Sequence, residues 1–194
     1  MPSPRLVAVL AAIDAANSAD PKSEDGAPAA RLYGARMSDM LAAFRPEASE
    51  LLRIAARGQH IERWTLPRDA YPAGKAGYYA WRNAAKKMHA ERVGALMTDA
   101  GYSAEDIAAT QAMVRKDDLR ANADTQIVED VASLVFLKHY GVDFAQGRTQ
   151  EQLVDILAKT MRKMSPAALA FAGEIGMPEA VAGLVGAAAK KLSP

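Results

Sequence analysis

Asn122-Ala-Asp-Thr-Gln-Ile-Val-Glu-Asp-Val-Ala-Ser-Leu-Val-Phe-Leu137 carries apolar residues at helical steps, through Val128, Val131, Leu134 and Val135. From Val131 onward they cover most of the circumference, which predicts a central, buried helix that starts around Asn122 to Asp124. A helix apolar all round needs other elements to cover it, and the rest of the chain supplies helices. Leu6, Val9, Leu10 and Ile13 share one helical face in a segment ending near Asn17. A second helix is predicted from about Ala30 to Phe44. Proline at a first-turn position, Pro46, restarts the chain, and Leu51, Leu52, Ile54 and Ala55 carry the next helix to about Arg63. A long helix runs from Tyr78 to Gly101, a fitting C′ glycine. Ser103 with Asp106 opens one that ends near Lys116. Thr149 with Gln152 caps another, Ser165-Pro166 opens a further one, and Pro178 to Lys191 forms an Ala-rich last helix. Ala19 to Pro28 and Thr65 to Gly77, with their prolines and glycines, read as irregular segments. No alternating run predicts a sheet, and no repeat appears. The expectation is a single all-α domain over residues 1–194.

Composition narrows the function. Among 194 residues, 24 Lys and Arg face 23 Asp and Glu, a net charge of +1, so nothing calls for a nucleic-acid partner. With no cysteine, disulfide scaffolds, Cys-ligated zinc, iron–sulfur clusters and Cys nucleophiles are excluded. Met1-Pro-Ser-Pro-Arg leads into an amphipathic stretch and not an apolar signal core, and no apolar run approaches a membrane span. A soluble cytoplasmic protein with no membrane partner is expected; oligomeric state stays open.

No two of His60, His89 and His139 share a helical turn, and the chain has no phosphate-cradling glycine loop and no nucleophile elbow. A site must therefore be assembled from several helices. On its predicted helix, His60 points away from Leu51 toward Arg53, Ala56 and Trp64, with Arg57 and Arg63 flanking. It is either an exposed histidine on a solvated face, or part of an anion pocket in which arginine forks grip a phosphate and Trp64 covers a ring. His89 shares a face with Ala85, Val93 and Leu96, and Arg82 is nearly eclipsed with it. That pair is either satisfied by a buried partner such as Glu129 or Asp130, or forms an acid–base or binding pair on a cleft floor. Glu129 and Asp130 sit in early turns, where a helix dipole favours acids, yet Asp130 is flanked by Ile127, Val131 and Leu134 and is expected to point inward. Gln126 lies one turn earlier. Lys116 is either a helix C-terminal charge or a basic wall of the cleft, and His139 reads as a helix C-terminal residue.

Several blocks carry a resemblance. Leu32-Tyr-Gly-Ala-Arg-Met-Ser38, Ser49 to Trp64, Leu66-Pro-Arg68, Gly77-Tyr-Tyr-Ala-Trp-Arg82, His89-Ala90, Glu129 to Leu137 and Lys159 to Ser165 resemble the family catalogued as domain of unknown function 4202. That family implies no activity. The glutamyl-tRNA synthetase label that some members carry is rejected for this chain: Lys163-Met164-Ser165 stands alone, without a His-Ile-Gly-His signature or a nucleotide-binding α/β pattern. More distantly, the order of helices is similar to the HD-superfamily phosphohydrolases, all-α domains that hold metal ions with His and Asp from separate helices. That similarity implies an HD-domain-like helical core and a divalent transition metal on His60, His89 and Asp130. Two of the four usual ligands have no counterpart, since Ile61 follows His60 and the helix from Ala30 to Phe44 carries no histidine.

The combined expectation is a cleft for a small anionic ligand, phosphate or nucleotide. His60, His89, Glu129 and Asp130 are the candidate catalytic groups. Gln59, Arg63, Trp64, Arg82, Lys116 and Gln126 are the candidate ligand contacts. Two classes stay open: a degenerate HD-type phosphohydrolase, and a non-catalytic anion- or nucleotide-binding regulator.

Overall fold

The computed structural model describes residues 2–192; Met1, the head of the amphipathic start, lies outside them. The fold is all-α. Its contacts group into two units, divided after Val128 within one continuous helix, where the sequence predicted one domain.

The first unit contains α1 (Pro4–Asn17), α2 (Ala29–Phe44), α3 (Glu50–Arg57), α4 (Gly74–Asp99), α5 (Ala104–Arg115) and the start of α6 (Ala123–Val135). Short polar side chains begin these helices by accepting orphan N–H groups: Ser3 from Leu6 at 3.2 Å, Ser49 from Leu52 at 3.2 Å, Ser103 from Asp106 at 3.1 Å and Asn122 from Thr125 at 3.0 Å. Gly101, with φ +78°, closes α4 as the C′ residue, and the Tyr102 N–H reaches the Met97 carbonyl at 3.1 Å. Helix α1 packs on α2, α3 and α4, α2 on α3, and α5 on α3 and α4, around Leu6, Val9, Ile13, Met37, Leu41, Ile54, Val93 and Met97.

One segment read as irregular holds a small hairpin. Ser23–Glu24 pairs antiparallel with Ala27–Pro28, and the turn residues Asp25 and Gly26 have φ of 51° and 78°. Asp-Gly favours this tight turn because both central residues need positive φ. Helix α4 begins at Gly74, four residues before the predicted start. Gly77 lies so close to the Pro72 carbonyl that a Cβ would collide with it, which ties the first turn of α4 to the segment before it.

The second unit contains the rest of α6, a wide π turn over Phe136–Tyr140, α7 (Gly141–Ala145), α8 (Gln150–Met161), α9 (Pro166–Phe171) and α10 (Glu179–Leu192). Thr149 and Gln152 form the expected reciprocal capping box at α8, and Ser165 caps α9. Helix α10 packs on α8 and α7, and Leu153, Leu157, Met161, Ile175, Val181 and Ala188 are buried. No helix among the described residues is long and apolar enough to cross a membrane.

Candidate functional site

The local chain around His60 departs from its predicted helix. Helix α3 stops at Arg57, six residues early, and its C-cap Gly58 approaches α4 so closely that a Cβ would strike Val93. The chain then turns through residues 59–62. Glu62 adopts a left-handed conformation, φ 51°, and is anchored twice: its N–H donates to Asn17 Oδ1 at 3.0 Å, and its carboxylate takes Arg92 at 3.0 Å. A 3₁₀ turn over Arg63–Thr65 follows. The helical projection of His60 onto a solvated arginine face therefore does not hold. Arg57, on that predicted face, is gripped by the Asp14 carboxylate through two bonds of 2.7 and 2.5 Å and is not available to a ligand.

His60 stacks on Tyr33 of α2, ring centroids 4.3 Å apart and planes 17° from parallel. Its centroid lies 5.8 Å from that of His89 on α4. The two histidines predicted to share a cleft are thus neighbours. His60 keeps part of its surface open although protein atoms crowd it closely. Neither of its ring nitrogens has a hydrogen-bond partner among the described residues. His89 is 1% exposed and donates its Nδ1–H to the Ile61 carbonyl at 2.7 Å, which leaves Nε2 as a bare acceptor. Nε2 has no partner among the described residues, so His89 is not half of the buried ion pair that the sequence allowed.

The charged groups that act on this pair are cationic side chains of the same unit. Burial pushes the His60 imidazole well below its usual range, and Arg63, His89, Lys116 and Arg82 push it further the same way. Burial brings His89 down to about 4, against the raising effect of its bond to Ile61, with Arg63 adding to the fall. Both rings are neutral at pH 7. Arg63 itself is lowered by burial and by Arg82, and supported by the tyrosine oxygens of Tyr33 and Tyr78. Its guanidinium lies 4.6 Å from the centroid of Trp81. Arg82 Nη1 is 3.5 Å from the Tyr78 hydroxyl. Neither Arg63 nor Arg82 pairs with a carboxylate among the described residues. Lys116 occupies the C-cap of α5 in the left-handed region, φ 60°, where glycine would be unstrained.

The other predicted site residues have the following surroundings. Gln59 is buried; its Nε2 donates to the Val114 carbonyl at 3.3 Å, and its Oε1 has no partner among the described residues. Trp64 and Gln126 are half-buried. Glu129 and Asp130 belong to the second unit and are 6% and 1% exposed. Asp130 does point inward, but its two oxygens accept the Ser165 N–H at 2.8 Å and the Ser165 hydroxyl at 2.6 Å. Ser165 in turn accepts the Ala168 N–H at 3.1 Å, so Lys163-Met164-Ser165 is the buttressed start of α9. His139 is exposed beside Tyr140. A shallow groove in the second unit, lined by Arg148, Gln152, Asp155 and Lys159 among others, has exposed walls, and its one carboxylate is bridged by Lys191.

The metal expected on His60, His89 and Asp130 does not fit. Among the described residues no group of three or more His, Asp or Glu is arranged to hold an ion. The histidines also lie among cationic side chains, which disfavour a metal cation beside them. Tyr33, Tyr78 and Trp81 are the participants that sequence reasoning missed. Tyr78 and Trp81 fall at i and i+3 on α4 with Arg82 adjoining, a spacing that gathers them on one side of the helix.

A family model described as domain of unknown function (DUF4202) matches residues 7–185, and the chain belongs to that family. No curated protein and no solved structure matches it.

Proposed function

We propose that the first unit binds a small phosphate-bearing anion between His60, Arg63, Arg82 and Lys116, and that the protein works as a binding module, not as a hydrolase. One observation carries this reading: two arginines without a carboxylate partner among the described residues flank a half-open imidazole whose ring nitrogens are both unengaged. Like charges gathered around a crowded site destabilise the empty protein, and a phosphate dianion relieves that repulsion. Arginine forks grip phosphate oxygens in pairs, and neutral imidazole adds one donor and one acceptor.

The hydrolase reading, patterned on the HD superfamily, asks for a metal or a carboxylate to activate water. Among the described residues no group of three or more His, Asp or Glu is arranged to hold an ion, which favours the binding reading. Calorimetry with inorganic phosphate tests the proposal. Affinity falls as salt rises from 50 to 200 mM, about the range over which screening of partly exposed charges takes hold. Arg63→Ala and Arg82→Ala each weaken binding roughly tenfold or more, in line with loss of one charge-assisted contact. No phosphomonoester or nucleotide turns over, with or without added Mn²⁺ or Co²⁺. Absence of phosphate binding overturns the proposal, and robust turnover replaces it with the hydrolase.

A further inference from the structure

Beside the cation cluster lies an aromatic surface that phosphate alone would leave unused. Tyr78 and Tyr79, on the first turns of α4, are 41% and 50% exposed. The Tyr78 ring lies 5.7 Å from Tyr79 and 5.9 Å from Trp81, centroid to centroid. Arg63 covers Trp81, and Arg82 adjoins the Tyr78 hydroxyl. Cationic and aromatic groups therefore alternate within one cluster, from the stacked Tyr33–His60 pair through Arg63 and Trp81 to Tyr78 and Arg82.

This surface is held in place before any ligand arrives. Trp81 Nε1–H donates to the Leu66 carbonyl at 2.9 Å. Arg68 stitches the segment ahead of α4, donating to the Tyr71 carbonyl at 2.9 Å and the Pro72 carbonyl at 3.0 Å. Gly77 brings the helix backbone against the same Pro72 carbonyl. A fixed aromatic platform loses little conformational freedom when a flat ring settles on it.

We propose that the ligand is a nucleoside phosphate, its phosphate held by Arg63 and Arg82 and its base stacked on Tyr78. The inference rests on the anion-binding reading above and adds the planar ring to it. A mononucleotide brings both the anion and the flat ring that these groups suit, whereas a near-neutral chain offers no extended basic face to a polynucleotide. Stacking of a base on an exposed tyrosine is strong enough to raise affinity roughly tenfold over the same phosphate without a base.

Paired titrations with AMP and ribose 5-phosphate, which share sugar and phosphate, test it by calorimetry on the full chain. AMP binds roughly tenfold tighter than ribose 5-phosphate. Tyr78→Leu collapses that ratio toward one, and Tyr78→Phe, which keeps the ring, preserves it. Because the readout is a ratio within each variant, a general loss of stability does not mimic it, and Tyr78 is exposed enough that its replacement leaves the core alone. Equal binding of the two ligands by the unaltered protein overturns the base shelf and leaves the phosphate site standing. Binding of neither, together with none of inorganic phosphate, overturns both.

Discussion

Asp130 in the second unit and His89 in the first are both 1% exposed and both ionisable, yet their surroundings treat charge in opposite ways. Asp130 meets donors on both oxygens, and the bonds it accepts also fix the start of α9. His89 meets a carbonyl on one side and no partner on the other, while Arg63 opposes its protonation. A buried charge satisfied by its own fold is architecture. A neutral base crowded by cations is stabilised by what arrives from outside, and that difference separates a structural carboxylate from a candidate binding site.

The sharpest way to break the contrast is to remove the carboxylate. Asp130→Ala strands the Ser165 N–H and hydroxyl and is expected to lower stability by about 3 kcal/mol in urea unfolding, the scale of losing hydrogen bonds to a charged group. Asp130→Asn keeps an acceptor for the N–H and loses about half as much. A change below about 1 kcal/mol in the alanine variant would mean that the carboxylate does not hold α9.

Acid sharpens the other side. The folded His89 pKa of about 4 lies below its unfolded value, so the pair contributes nothing above pH 6.5 or so. As pH falls from about 6.5 toward 4, the unfolded chain takes up the proton first and stability drops, by about 2–3 kcal/mol between pH 7 and pH 4.5 from this group. His60 is shifted in the same direction and adds to the fall. Urea unfolding of His89→Gln at both pH values therefore shows a shallower decline than the unaltered protein. Parallel declines would remove His89 from the account.

The smallest effect separates backbone from charge at Lys116. Lys116→Gly and Lys116→Ala lose the same ammonium, but only glycine relieves the left-handed strain. The glycine variant is expected to melt about 2–4 °C above the alanine variant, equivalent to about 1 kcal/mol, with phosphate affinity weakened alike in both.

Where helices begin was written in single residues: Ser103, Thr149 and Ser165 announce their helices because a cap is a local bond between neighbours in sequence. The same locality explains the errors. Gly58, the C-cap of α3, approaches Val93, 35 residues away, and nothing in the periodicity of Leu51 to Ala55 reveals that contact. Projecting a helix past Gly58 misdirected His60. The burial of His89 and Asp130 was legible from the apolar residues around them, but their partners Ile61 and Ser165 were not, being 28 and 35 residues distant. Tyr33 joins the site by stacking on His60 from another helix, for which one sequence offers no sign, whereas the spacing of Tyr78, Trp81 and Arg82 was there to be read and was missed. The Asp25-Gly26 turn was legible and was passed over among prolines.

The π turn at Phe136–Tyr140 sets a phase. A wide turn spends about one residue more than an α-helix to complete the same rotation. Gly141 consequently presents a bare backbone to α10 at the place where even a Cβ would come within 2.9 Å of Val181. Wound as ordinary α-helix, the chain would arrive there rotated by about 100° and offer the Tyr140 ring in place of hydrogen. The π turn thus decides which residue of α7 meets α10, and a glycine stands where the two helices come that close.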